Sequence, residues 1–239
     1  TYKEIHGVKV QSVASDKVTA TEGDVWYNKS TSKLKMYAAA GTWASGNGIN
    51  TGRGHGMSSK NGTQSAAIFW GGYPPAGPER SKLTEEYDGT NWTEVGDLNQ
   101  GRSNSASFGT ATAAISGSGI KAPGSHVDNG ESWNGTAWTE VADVSSARRE
   151  LAGCGTSTAG LAIAGYTSAL VETWNGASWT EVGDLTTARA NLGGAGTSTA
   201  ALAFGGQPSA LTEEYDGSTW TEVADLNTAR MANGNAGPT

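Results

Sequence analysis

Between Ala190 and Val223 the chain changes character every few residues. The small-residue run ANLGGAG leads through TST into the apolar run AALAF, which ends in paired glycines; the chain then resumes as LTEEYDGSTWTEV, where aromatic or apolar positions alternate with polar ones. Alternation over four to eight residues predicts a strand with one buried face. Asp216-Gly217, lying between Tyr215 and Trp220, predicts a tight hairpin turn, because both central positions of such a turn favour positive φ. No stretch of the chain sustains an apolar period of 3.6 residues, so helices are not expected. The unit therefore predicts four short antiparallel strands: a small-residue inner strand, an apolar strand, an aromatic strand and a strand that opens on Trp.

This pattern recurs along the chain. The phrase TWTEVADLNTAR from Thr219 has counterparts in SWTEVGDLTTAR from Ser178, AWTEVADVSSAR from Ala137 and NWTEVGDLNQGR from Asn91, with a weaker copy, TWASGNGINTGR, from Thr42. Each anchor tryptophan (Trp43, Trp92, Trp138, Trp179, Trp220) precedes an arginine by ten residues (Arg53, Arg102, Arg148, Arg189, Arg230). An aromatic stands five residues before four of the anchors, at Tyr87, Trp133, Trp174 and Tyr215. Four-stranded units repeating every 40 to 50 residues predict a β-propeller, in which radial packing hides the sheet edges.

The order of landmarks, a glycine pair, an aromatic, a Trp and an Arg, resembles the kelch repeat. The wording GTSTAALAFGG followed by TEEYDGSTWTEVADLNTAR is similar to repeat arrays in structural proteins of tailed marine bacteriophages, and GDVWYNKSTSKLKMYAAAGTW from Gly23 resembles the segment that introduces such arrays. The resemblance implies a non-enzymatic virion protein, a propeller subunit of a tail, fibre or surface decoration. Its implied partners are other virion structural proteins in an oligomeric assembly.

The expected fold is all-β: a kelch-like β-propeller of five four-stranded blades. Blades are placed at about 53–100, 101–146, 147–187 and 188–228, with a closing blade shared by 22–52 and 229–239. Residues 24–28 would supply its apolar strand and 33–37 its aromatic strand, while MANGNAGPT after Arg230 matches an inner strand. The alternative is a piece cut from a longer array. Residues 1–21 lie outside the repeat and read as an arm or an extra edge strand, either docking on an acidic neighbour or folding onto their own ring.

Composition sharpens this picture. With 35 Gly, nine Trp and one Cys, the core must combine thin strands with a few large rings, and no disulfide scaffold is possible. Cys154 falls in an inner strand and reads as a packing residue. The net charge of −7 argues against nucleic-acid binding through bulk charge, and no apolar run reaches the ~18 residues of a membrane helix. Charge is uneven: residues 1–52 carry six lysines against four acidic groups, and residues 53–239 carry ten basic against nineteen acidic groups.

Candidate chemistry is sparse. The five arginines should gather on one face near the axis, where guanidinium forks suit anions. Asp97, Asp143, Asp184 and Asp225, each five residues before its Arg, favour instead structural ion pairs between blades, together with the recurring Glu94, Glu140, Glu181 and Glu222. Trp92, Trp138, Trp179 and Trp220 should pack between neighbouring sheets. The loops joining apolar to aromatic strands vary most and hold five of the six prolines, including Pro208. In the first two blades, Tyr73 and His126 can stack on a sugar while Arg80, Lys82 and Asp128 hydrogen-bond its hydroxyls, which would make a lectin for host surface glycan. Enzymatic patterns fail. His6, His55 and His126 are widely separated, no Gly-Lys-Ser/Thr phosphate loop occurs, and the adjacent Asp88-Gly89 breaks the spacing of a sialidase turn. The paired Glu85-Glu86 and Glu213-Glu214 should point to opposite faces of a strand. Neither a cofactor nor a metal is expected.

Overall fold

The computed structural model describes residues 11–15, 25–36, 46–207 and 209–231, and the chain divides into two compact units, Thr1–Gly46 and Asn47–Thr239. The described residues are all-β, with no helix. In the first unit, β1 (Gln11–Val13), β2 (Val25–Asn28) and β3 (Lys33–Met36) form one sheet, β1 parallel and β3 antiparallel to β2.

The second unit contains four four-stranded sheets, each running in chain order from an inner to an outer strand. The first comprises β4 (Met57–Ser58), β5 (Ala67–Trp70), β6 (Thr84–Tyr87) and β7 (Trp92–Glu94). The second comprises β8 (Ala106–Gly109), β9 (Ala114–Ile120), β10 (His126–Trp133) and β11 (Trp138–Val141). β12 (Ala152–Thr156), β13 (Ala159–Gly165), β14 (Ser168–Trp174) and β15 (Trp179–Glu181) form the third. The fourth is made of β16 (Gly193–Gly196), β17 (Ala201–Phe204), β18 (Thr212–Tyr215) and β19 (Trp220–Glu222).

One turn explains the outer hairpin of each four-stranded sheet. Asp88, Asn134, Asn175 and Asp216 each accept hydrogen bonds from the backbone N–H groups two and three residues ahead, at 2.7 to 2.9 Å. The following glycine takes positive φ, 92° to 96°, at Gly89, Gly135, Gly176 and Gly217. That turn sets the aromatic opposite the Trp in register, as in Tyr87 with Trp92 and Trp174 with Trp179, with ring centroids 5.1 and 5.2 Å apart. The backbone bonds also hold the Asp88 and Asp216 carboxyls below the usual carboxylate range.

Neighbouring sheets meet in two places. At the inner strands the backbones touch: a Cβ on Gly153 would lie 2.7 Å from the Ser107 carbonyl oxygen, so only the smallest residues fit. Further out, an anchor Trp fills the gap. Trp138 packs on Trp70 of the first sheet at 5.0 Å and donates its indole N–H to Thr84 Oγ1 at 2.9 Å. Trp179 meets Phe108 of the second sheet at 6.0 Å, and Trp220 joins a buried cluster with Cys154, Leu161 and Ile163 of the third. Trp92 is half-buried against Tyr87 and donates to the Asn47 carbonyl at 3.1 Å.

A head-to-tail chain of backbone bonds crosses the inner ends of the sheets. Asn104 N donates to His55 O (3.2 Å), Glu150 N to Asn104 O (2.8 Å) and Asn191 N to Glu150 O (3.0 Å). All four residues lie two positions after a repeat arginine and have φ between 53° and 61°.

The closing blade does not assemble among the described residues as the sequence suggests. β2 and β3 pair as expected of an apolar and an aromatic strand. The free edge of β2, which a C-terminal inner strand would need, is taken by β1 instead. Residues 11–13 of the N-terminal arm thus form an edge strand beside β2. Trp43, Pro208 and residues 232–239 lie outside the described residues.

Candidate functional site

Each of the four four-stranded sheets contains one buried arginine–glutamate link. Arg53 bonds Glu85 at 2.6 Å, Arg102 bonds Glu131 at 2.8 Å, Arg189 bonds Glu213 at 2.6 Å, and Arg148 pairs with Glu172. The Glu stands on the aromatic strand of the same sheet, so the sequence-based pairing with Asp97, Asp143, Asp184 and Asp225 between blades is corrected. The reason is register: the sheet folds the Glu back beside an Arg that lies 24 to 32 residues earlier in the chain. The guanidinium also donates to backbone carbonyls, Arg102 to Ser118 O and Asn129 O, and Arg189 to Gly205 O and Leu211 O. Burial pulls the guanidinium pKa of Arg102, Arg148 and Arg189 down, and the paired Glu opposes that pull.

The glutamate also grips the preceding sheet. Glu131 accepts backbone N–H groups of Asn99 (2.7 Å) and Gln100 (3.2 Å), Glu172 that of Ser145 (2.8 Å) and Glu213 that of Thr186 (2.8 Å). Glu85 accepts the N–H of Asn50 at 2.6 Å in the same way. These four arginine side chains are buried against glutamate and backbone carbonyls, which keeps them from an external anion, although the Nε of Arg102, Arg148 and Arg189 is buried without a partner of its own. The aspartates do a different job: Asp143, Asp184 and Asp225 accept the backbone N–H of Gly130, Val171 and Thr212 in the aromatic strand. Asp97 makes no such bond. Arg230 is exposed and has no carboxylate partner among the described residues.

A cavity of about 510 Å³ opens where the inner ends of the four sheets meet, lined by His55, Lys60, Asn104, Ser107, Glu150 and Asn191 among others. Lys60 stands where the other inner strands carry Gly109, Gly155 and Gly196; burial pushes its ammonium down to about 8. Cys154 is buried in the cluster with Leu161 and Ile163, its thiol pushed up to about 12 by burial, which removes thiolate chemistry at neutral pH.

The loop face holds a second recess of about 250 Å³, lined by Glu79, Arg80, Lys82, Asn99, Gln100 and Lys121. Here the structure brings together three of the residues read from the sequence. Arg80 lies over the Tyr73 ring at 4.4 Å and shares the recess wall with Lys82. Lys121 and Gln100, which also line the recess, escaped the sequence reading. His126 and Asp128 are exposed at the start of β10 and do not line the recess. Sequence reasoning also missed Tyr166, 45% exposed and covered on one face by Arg149 at 4.1 Å. The signal was positional: Tyr166 follows Gly165 as Tyr73 follows Gly72. Among the described residues, no group of three or more His, Cys, Asp or Glu could hold a metal ion.

No protein-family model matches the chain, and no curated protein matches it at a significant level.

Proposed function

We propose that this chain is a non-enzymatic structural and adhesive subunit of a virion, a kelch-like propeller in the tail, fibre or surface decoration of a tailed phage. The observation that carries this reading is where the repeated charge resides. Every repeat arginine that the sequence offered as an anion ligand, Arg230 excepted, is enclosed with a glutamate inside a sheet, which suits a scaffold. The phage origin rests on the repeat wording and the leader segment. In this role the chain sits in an oligomeric assembly beside other virion structural proteins, residues 1–21 contribute to attachment, and it neither binds nucleic acid nor inserts in a membrane. Peptide mass fingerprinting of purified particles, followed by imaging that places the chain, tests the assignment. Its absence from intact particles would end it.

For the fold, the finer reading is a ring of five blades, the fifth drawn from 22–52 and 229–239. Three features of the second unit support a fifth neighbour. Gly206 N donates to Arg230 O at 3.0 Å, as Gly72 N does to Arg102 O and Gly165 N to Arg189 O, so the chain enters a fifth position at Arg230. Asn50 grips Glu85 as Asn99 grips Glu131. Thr212 Oγ1 is buried without a partner at the position where Thr84 receives an anchor Trp. Closure requires the C-terminal strand to take the β2 edge now held by β1. Disulfide trapping of Asn235→Cys with Gly194→Cys, in a Cys154→Ala chain, tests whether the C-terminal strand lies beside β16, which closure requires; failure to cross-link within one chain would count against closure.

A second reading, a lectin for host surface glycan, is favoured by one specific feature: the cationic recess beside an exposed tyrosine on the loop face of the first two sheets.

A further inference from the structure

From the recess of Arg80, Lys82 and Lys121, we infer a binding site for an acidic saccharide, one that carries a carboxylate or a sulfate. The inference rests on the saccharide-binding reading and specifies its ligand.

The distribution of cations carries the argument. Residues 53–239 hold ten basic side chains against nineteen acidic ones. Five of the ten, Arg53, Arg102, Arg148, Arg149 and Arg189, pair with glutamates. Of the five that do not, three line this single recess, against one carboxylate, Glu79. None of the three lies within ion-pair distance of a carboxylate among the described residues. On an acidic body this is a local positive hole, with room for a compact anion rather than a strand of chain.

The cations are also held in place. Ser81 N donates to Gly72 O at 2.9 Å and Leu98 N to Lys82 O at 3.0 Å, fixing the loop on one side. Lys121 N donates to Ser125 O at 2.9 Å on the other. Between them, Asn99 and Gln100 are anchored through their backbone N–H groups to Glu131. A site whose backbone is ordered before the ligand arrives loses little entropy on binding.

Tyr73 and Gln100 narrow the ligand class. Arg80 serves two surfaces at once, stacking on Tyr73 and lining the recess. Tyr73 is 42% exposed, so an acid group held by Arg80 places its attached ring beside an aromatic side chain. Gln100 lines the recess and its side chain has no hydrogen-bond partner among the described residues, which provides a donor and an acceptor for hydroxyls. A cation cluster, an aromatic and a free amide together fit a sugar with one acid group. A densely charged polyanion is disfavoured because the surrounding body repels it.

The test uses the full chain and an array of neutral oligosaccharides alongside the same backbones carrying a carboxylate or a sulfate, with inorganic sulfate and a single-stranded polynucleotide as controls. Acidic members should bind, neutral ones should not, and binding should weaken with added salt. The two acidic arms distinguish carboxylate from sulfate. Lys82→Gln combined with Lys121→Gln should lower affinity by about tenfold or more at an unchanged thermal midpoint. Equal binding of neutral and acidic members, unaffected by the double substitution, overturns the acidic specificity and leaves the saccharide reading intact. No retention of any saccharide overturns both, and binding to the polynucleotide alone replaces the saccharide with another class of ligand.

Discussion

Arg102, in the loop that enters the inner strand β8, and Arg80, in the loop that leaves the apolar strand β5, have opposite surroundings. Arg102 is fully buried, donates to Glu131 and to two backbone carbonyls, and is gripped by a glutamate that also holds the preceding sheet. Arg80 is half-buried, stacks on a tyrosine, and has no carboxylate partner among the described residues. The difference shows that a repeated charge belongs to the scaffold, because the repeat supplies its partner each time. A charge that occurs in one sheet alone has no such partner and remains available.

Breaking the scaffold side has the largest expected effect. Glu131→Gln leaves the Arg102 guanidinium buried without its counter-charge, and loss of one member of a buried pair costs about 3–5 kcal/mol. Denaturant titration reads this directly. Replacing both, Arg102→Met with Glu131→Leu, should cost less than either single change, since no orphaned charge remains.

Lys60→Met should come next, and its sign depends on pH. The folded ammonium sits at about 8 against 10.5 for the free side chain, so the folded state binds protons less well than the unfolded. The wild-type chain is therefore handicapped most below pH 8 and recovers as pH rises from 8 to 10.5. Thermal midpoints should favour Lys60→Met at pH 7, with the advantage fading by pH 10.5. A constant difference across that range would show that charge burial is not the cause.

Smaller still, Asp184→Ala removes the acceptor of the Val171 N–H, worth about 1 kcal/mol, while Asp97→Ala, which breaks no such bond, should be close to neutral. On the other side of the comparison, Lys82→Gln should change stability by less than about 0.5 kcal/mol.

Much of the architecture was legible because it is encoded locally. The Asp-Gly and Asn-Gly turns, the aromatic opposite each Trp, and the glycine-rich inner strands lie within single hairpins, where sequence spacing and spatial register agree. The Arg–Glu link was not, since it joins loops and strands separated by two turns and an insertion of variable length. A signal was nevertheless present: Glu85, Glu131, Glu172 and Glu213 recur two residues before the aromatic in all four units, whereas the next position is Glu, Ser, Thr and Glu. Lys121 was missed for the opposite reason. It occurs in one unit only, and its proximity to Arg80 arises from packing between two sheets that no repeat encodes.

The role of the repeat arginines can be settled by the thermal midpoints of Arg→Gln variants at positions 53, 102, 148, 189 and 230, measured side by side. The account predicts falls of about 10 °C at the first four positions, where a paired glutamate is left buried, and less than about 2 °C at Arg230, which has no such partner. Five small and equal shifts would contradict it.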